Sequence, residues 1–129
     1  MSGFTTNIET KSLENTNFRQ VLFTTPLTQL VVMSLLPGED IGLEAHDDRD
    51  QFIRVEAGEG RAVLNGVDHE LSDGMAVVVP AGTGHNVINT SDTDPLKLYT
   101  IYSPPEHADG TVHRTREEAM ADEAEHHKH

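Results

Sequence analysis

Between residues 18 and 103 the chain is cut so often by turn-forming pairs that no stretch remains for a long helix. Pro37-Gly38, Ala57-Gly58, Asn65-Gly66, Asp73-Gly74 and the run from Pro80 to Gly84 divide it into short pieces. Glycine and proline are the strongest local breakers of regular structure, and the pieces they leave are rich in Val, Ile and Leu, as strands are. The pattern predicts strands over residues 19–25, 27–36, 41–46, 51–56, 61–64, 67–71, 75–79, 85–89 and 96–102. Two hairpins are expected among them. Asn65-Gly66 suits the positive φ angles of a type I′ turn joining 61–64 to 67–71. The tetrad Asp47, Asp48, Arg49, Asp50 reads as a solvated acidic turn joining 41–46 to 51–56. Short strands with no intervening helices exclude a βαβ plan and point to an antiparallel sandwich or barrel, here a small jelly roll.

The flanks differ from this centre. Residues 1–17 are polar and show no sustained period, which suggests a lead-in arm, ordered only if something packs on it or if it pairs with a partner subunit. Ser103-Pro104-Pro105 closes the strand region, and Thr115 followed by Glu118 resembles a capping box opening a helix over residues 116–125. The expected organisation is one all-β domain: an N-terminal arm over 1–17, a β-barrel over 18–103, and a C-terminal arm and helix over 104–129. A chain of 129 residues is long enough to close one modest hydrophobic core.

With 22 acidic against 9 basic residues and a formal net charge of −13, the surface should repel polyanions. Nucleic acid and anionic membranes, which are bound by clustered Lys and Arg, are therefore not expected as partners. No basic segment leads into an apolar core, and no apolar run approaches the roughly 18 residues of a membrane span. A cytoplasmic location is the simplest expectation. The chain has no Cys, so any metal must be held by His, carboxylate or amide side chains.

Alternate side chains of a strand share a face, so Glu44 and His46 point the same way, and Gln51 returns after the Asp-rich turn. His85 opens the strand that follows the Gly-rich turn. Gly38, Glu44, His46, Gln51 and Gly58 fall at the spacing of the first sequence motif of the cupin superfamily, and Gly74, Pro80, Gly82, His85 and Asn89 match its second. The chain therefore resembles the small RmlC-like bacterial cupins often described as mannose-6-phosphate isomerase-like. That resemblance implies a single-domain cupin jelly-roll β-barrel and one divalent metal ion, of the kind Fe, Mn, Zn or Ni, held by Glu44, His46, Gln51 and His85.

The departures from the family pattern are specific. Family members take two His and one Glu from the first motif and one His from the second. Here Glu44 stands in the place of the first His and Gln51 in that of the Glu. One carboxylate and two imidazoles survive, a set that resembles the two-His, one-carboxylate donors of non-haem Fe(II). Gln51 is then either a fourth ligand or a hydrogen-bonding partner of the ligands. The alternative is a barrel that has lost its metal and keeps Glu44 and Gln51 as a polar patch in a binding cavity.

Other residues need a plain reading beside a functional one. His107 and His113 flank Asp109-Gly110; they either reach the cavity as acid, base or extra ligand, or sit on the surface of the C-terminal arm. Gln51 and His107 are the candidate catalytic residues. Arg54 and Arg61 either meet an anionic substrate or lie on an exposed strand face. The terminal cluster His126, His127, Lys128, His129 is either a solvated helix end or a site for stray transition metals. The function expected is that of a metalloenzyme acting on a small oxygenated substrate, a sugar or enolisable carbonyl compound, in an isomerase-like reaction. A non-haem Fe(II)-type dioxygenase is the second reading. A non-catalytic small-ligand-binding or sensory barrel is the third, favoured by the neutral Gln51 and the lack of an obvious general base. A small-molecule substrate and a second copy of the chain, forming a homodimer, are the expected partners.

Overall fold

The computed structural model describes residues 2–126, with side chains described as far as Ala124. In chain order the elements are α1 (Ile8–Glu14), β1 (Arg19–Thr24), β2 (Gln29–Leu35), β3 (Asp50–Ala57), β4 (Gly60–Leu64), β5 (Val67–Leu71), β6 (Ala76–Val79), β7 (His85–Asn89), β8 (Leu96–Ser103), β9 (Val112–His113) and α2 (Arg116–His126). They form a jelly roll of two sheets, six strands in the order β6-β3-β8-β2-β1-β9 and three in the order β5-β4-β7. Every pairing is antiparallel.

Period-two alternation decides which side chains meet inside. Val31, Met33 and Leu35 of β2, Ile53 and Val55 of β3, Val77 and Val79 of β6, and Leu96 and Leu98 of β8 all turn inward, and Ala62, Leu71 and Val87 join them from the smaller sheet. Each such aliphatic side chain, fully buried, contributes about 1.5–3 kcal/mol. At the β4–β5 turn Asn65 has φ 49° and Gly66 φ 81°, the positive pair that a type I′ turn demands. Gly60 is required for a different reason. A Cβ there would lie 2.5 Å from the Ile88 carbonyl oxygen, so β4 and β7 could not approach as they do.

Two local expectations are corrected. Residues 41–46 do not pair with 51–56. The segment around them makes isolated bridges to the smaller sheet instead, Asp40 opposite Ile88 and Glu44 opposite His85, while β3 pairs with β6 and β8. Gly38 and Gly42, at φ 80° and 91°, turn the chain across between the sheets. The N-terminal arm, which showed no period, contains α1. Its Asn7 caps the helix by accepting from the Thr10 amide at 2.9 Å, and the helix packs on β8, β2 and β3 with Ser12 fully buried. At the other end the capping residues work as expected, the Glu118 amide donating to Thr115 Oγ1 at 3.2 Å. No helix among the described residues is long and apolar enough to cross a membrane.

Candidate metal centre

Glu44 and His85 are brought together by backbone hydrogen bonds in both directions. The Glu44 amide donates to the His85 carbonyl at 2.9 Å and the His85 amide to the Glu44 carbonyl at 2.8 Å. Residues directly opposite in an antiparallel pair carry their side chains on one face. His46, two positions on, comes to the same place and is anchored where its carbonyl accepts from the Gly82 amide at 2.7 Å. The potential ligand atoms of Glu44, His46 and His85 all lie within 4.8 Å of one another, the reach of a single ion.

Hydrogen bonding orients the two imidazoles. His85 Nδ1 lies 3.0 Å from the Thr83 carbonyl oxygen, which can only accept, so Nδ1 carries a proton and, in the neutral ring, Nε2 the lone pair. His85 is 1% exposed, and its Nε2 has no hydrogen-bond partner. A buried nitrogen with a free lone pair is costly unless something positive meets it. His46 tells the same story by charge. Its Nε2 lies 3.0 Å from Glu44 Oε2 and its Nδ1 3.4 Å from Glu106 Oε2. The hydrogen bond to Glu44 raises the His46 pKa above its ordinary value, against the opposing effect of burial, with Glu106 adding to the rise. The place between Glu44 and His46 thus favours positive charge, and a carboxylate with two imidazoles fits a divalent first-row ion.

Gln51, on β3, is also buried. Its Nε2 donates to Thr100 Oγ1 at 3.0 Å, while its Oε1 has no partner. That leaves a second buried acceptor unsatisfied.

Beside the three donors is a cavity of about 400 Å³. Glu44 and His46 line part of it, and Glu106, His107, His113, Asp122 and Glu123 of the C-terminal segment line the rest. His107 and His113 are therefore not surface residues of an arm. Burial, with the neighbouring Arg19 charge, pushes the His107 pKa down to about 3 and keeps the ring neutral. Its Nε2 has no partner. Both nitrogens of His113 are engaged: Nδ1 accepts from Arg19 Nη1 at 3.3 Å, so Nε2 carries the proton and donates to Asp122 Oδ2 at 2.8 Å. Tyr102, buried, lies edge-on to both His46 and His107.

The remaining candidates lie elsewhere. Asp47 and Asp48 are exposed, and Asp50 accepts from the Ala81 amide at 2.9 Å, as suits a solvated turn. Arg54 pairs with Glu56, and Arg61 is exposed; neither lines the cavity. Asn89 braces a turn, donating to the carbonyls of Leu35 and Asp94 and accepting from the Ser91 amide. The terminal His cluster lies outside the described side chains. Glu106, in irregular backbone, and Asp122 and Glu123, on α2, had no signal in the sequence, because only the path of the C-terminal segment brings them to the cavity. Only the neighbouring His107 and His113 hinted that this segment mattered.

Comparison with known proteins adds the following. A family model described as Cupin domain matches residues 31–102. The uncharacterized protein YrkC of Bacillus subtilis (strain 168) is 49% identical over 126 residues, which cover 93% of this chain and 67% of that protein. An uncharacterized protein of Acanthamoeba polyphaga mimivirus is 47% identical over 112 residues, 84% of this chain and 70% of the other. The crystal structure of BH2720 from Bacillus halodurans superposes with a TM-score of 0.90 at 46% identity, covering 93% of this chain and 95% of that one.

Proposed function

Since this chain belongs to the cupin family, we propose that it is a metalloenzyme whose single divalent ion is held by Glu44, His46 and His85 with Gln51 as a fourth donor. Its substrate in this reading is a small oxygenated molecule, a sugar or enolisable carbonyl compound, and its chemistry isomerase-like. The observation that carries the reading is the buried, unpartnered Nε2 of His85 beside a carboxylate and a second imidazole.

When bound, such an ion supplies Lewis-acid polarisation of adjacent substrate oxygens. The chain's own residues do the rest. Thr100 holds the Gln51 amide through its Nε2, which leaves Oε1 as the available donor. His107, a neutral residue of the cavity lining whose Nε2 has no partner, hydrogen-bonds a substrate hydroxyl and orients it. A base held near pKa 3 takes up almost no proton at neutral pH, so His107 orients the substrate rather than carrying its proton. His113 has no free nitrogen for either task.

Two imidazoles with one carboxylate favour a second reading, an Fe(II)-dependent dioxygenase. Oxygen uptake on adding Fe(II) to metal-free protein distinguishes the two. Elemental analysis of protein purified without a nickel column tests the site itself. About one divalent ion per chain is expected, with loss in both His46→Ala and Glu44→Ala. Full metal content in both variants would overturn the reading. A metal-loaded protein that turns nothing over yet is stabilised by a ligand is instead a binding module.

We also propose that the chain forms a homodimer, for which the exposed apolar side chains Val78, at 64% exposure, and Leu27, at 78%, supply surface in need of cover. A scattering mass of one 14.2 kDa chain refutes that.

A further inference from the structure

Gln29, the first residue of β2, is 1% exposed, and burying a primary amide is costly unless its hydrogen-bonding positions are filled. Here all four are filled. Its Oε1 accepts from the amides of Glu106 at 3.2 Å and His107 at 3.0 Å. Its Nε2 donates to the His107 carbonyl at 2.7 Å and to Thr24 Oγ1 at 2.9 Å. A backbone amide only donates and a carbonyl only accepts, so these partners also decide which end of the side chain is oxygen. Three of the four bonds go to the backbone of two consecutive residues that lie outside any helix or strand. Those are the residues through which the C-terminal segment first meets the metal centre: Glu106 faces His46 Nδ1 at 3.4 Å, and His107 lines the cavity. Arg49 grips the other end of Glu106, its Nη1 lying 2.8 Å from Oε2.

Strand register places the clamp beside the donors. Thr24, Gln29, Tyr102 and Gln51 stand opposite one another in turn across β1, β2, β8 and β3. Residues directly opposite share a face, so Gln29 and Gln51 point to the same side with Tyr102 between them. We propose that Gln29 is a positioning residue of the metal centre: by clamping the backbone of Glu106 and His107 it sets the Glu106 carboxylate against His46 and tightens the hold on the ion. This rests on the metal-binding reading, which gives the orientation of His46 its purpose. A side chain that served the fold alone would fill the same space without acting through Glu106.

Gln29→Met keeps the length of the side chain and removes all four bonds. Zn(II) binding is measured by titration calorimetry on wild type, Gln29→Met, Glu106→Gln and the double variant, with Glu44→Ala as the blank for ions taken up elsewhere on the chain. Gln29→Met should weaken Zn(II) binding about tenfold in wild type. Once Glu106 is Gln it should cost less than about twofold, because the clamp acts through that carboxylate. No weakening in wild type, or equal weakening in both backgrounds, overturns the proposal. Coupling between sites is reciprocal, so wild type supplies a second reading even if Gln29→Met does not fold. Saturating Zn(II) should slow hydrogen exchange at the Glu106 and His107 amides about tenfold, and unchanged exchange overturns the proposal. Wild type that takes up no more Zn(II) than Glu44→Ala overturns the metal reading itself, and the positioning role falls with it; failure of the positioning role alone shows as ion binding that Gln29→Met leaves intact.

Discussion

Replacing His85 by Leu distinguishes a histidine kept for a ligand from one kept for the fold. In the metal-free protein the substitution removes a buried, unpartnered nitrogen, whose cost is about 1–3 kcal/mol. It also removes the hydrogen bond from Nδ1 to the Thr83 carbonyl, worth about 0.5–1.5 kcal/mol. Thr83 is partly exposed, so its carbonyl can take water instead. The two effects nearly cancel, and metal-free His85→Leu should stay within about 1 kcal/mol of wild type. For a chain of this length that is a Tm change below about 5 °C. Metal changes the comparison. At a hundredfold excess over Kd an ion adds about 2.7 kcal/mol to the wild type, a rise of roughly 8–16 °C in Tm. The variant should show almost none of it. The assay is calorimetric melting of both proteins in chelator and in divalent metal. A metal-free variant more than about 3 kcal/mol less stable would mark His85 as structural. A variant that keeps the full metal-induced rise would remove it from the ligand set.

Glu106 lies 3.4 Å from His46 Nδ1 and is itself held by Arg49, an arrangement that orients a ligating imidazole from behind. Glu106→Gln should weaken metal binding by about tenfold in calorimetric titration; unchanged affinity refutes the role. His107 gives a pH signature. Its folded-state pKa of about 3 lies below the ordinary value of 6.5, so on acidification the unfolded chain takes up the proton first. The stability contributed is full above about pH 6.5 and is lost as the pH falls toward 3, a loss of about 2 kcal/mol between pH 7 and 5. His46, its pKa raised by Glu44, acts in the opposite direction, contributing stability below its unfolded value that is lost as the pH rises through the folded one. Melting metal-free wild type beside His107→Gln from pH 7 to 5 isolates the first effect; parallel curves would sink it.

Glu44, His46 and His85 were picked out in the sequence by the spacing of two motifs, and the structure brings these three candidate donors together. Glu44 and His46 share a face by strand alternation, and the Gly-rich turn before His85 marks the start of a strand. Their partners were not picked out. The segment holding Glu44 looked like half of a hairpin with its sequence neighbour, but its hydrogen bonds go to β7, far along the chain. Such pairing leaves no local signature. The helix α1 escaped notice because it is short and polar, and its order comes from the sheet beneath it. The cavity wall was hidden more deeply. Glu106, Asp122 and Glu123 are ordinary solvated acids in any local reading, and only the return of the C-terminal segment over the donors gives them a task.

That return divides the site into two parts, joined where Glu106 touches His46. The three donors are rooted in backbone hydrogen bonds between strands, where a substitution risks the fold. The wall over them is carried by residues 106–123, fastened to the rest chiefly by side chains such as Arg49, Gln29 and Arg116 and by the brief pairing of β9 with β1. The wall apart from Glu106, which touches His46, can therefore be exchanged while Glu44, His46 and His85 keep their places. In a designed series the C-terminal segment is the natural unit to transplant.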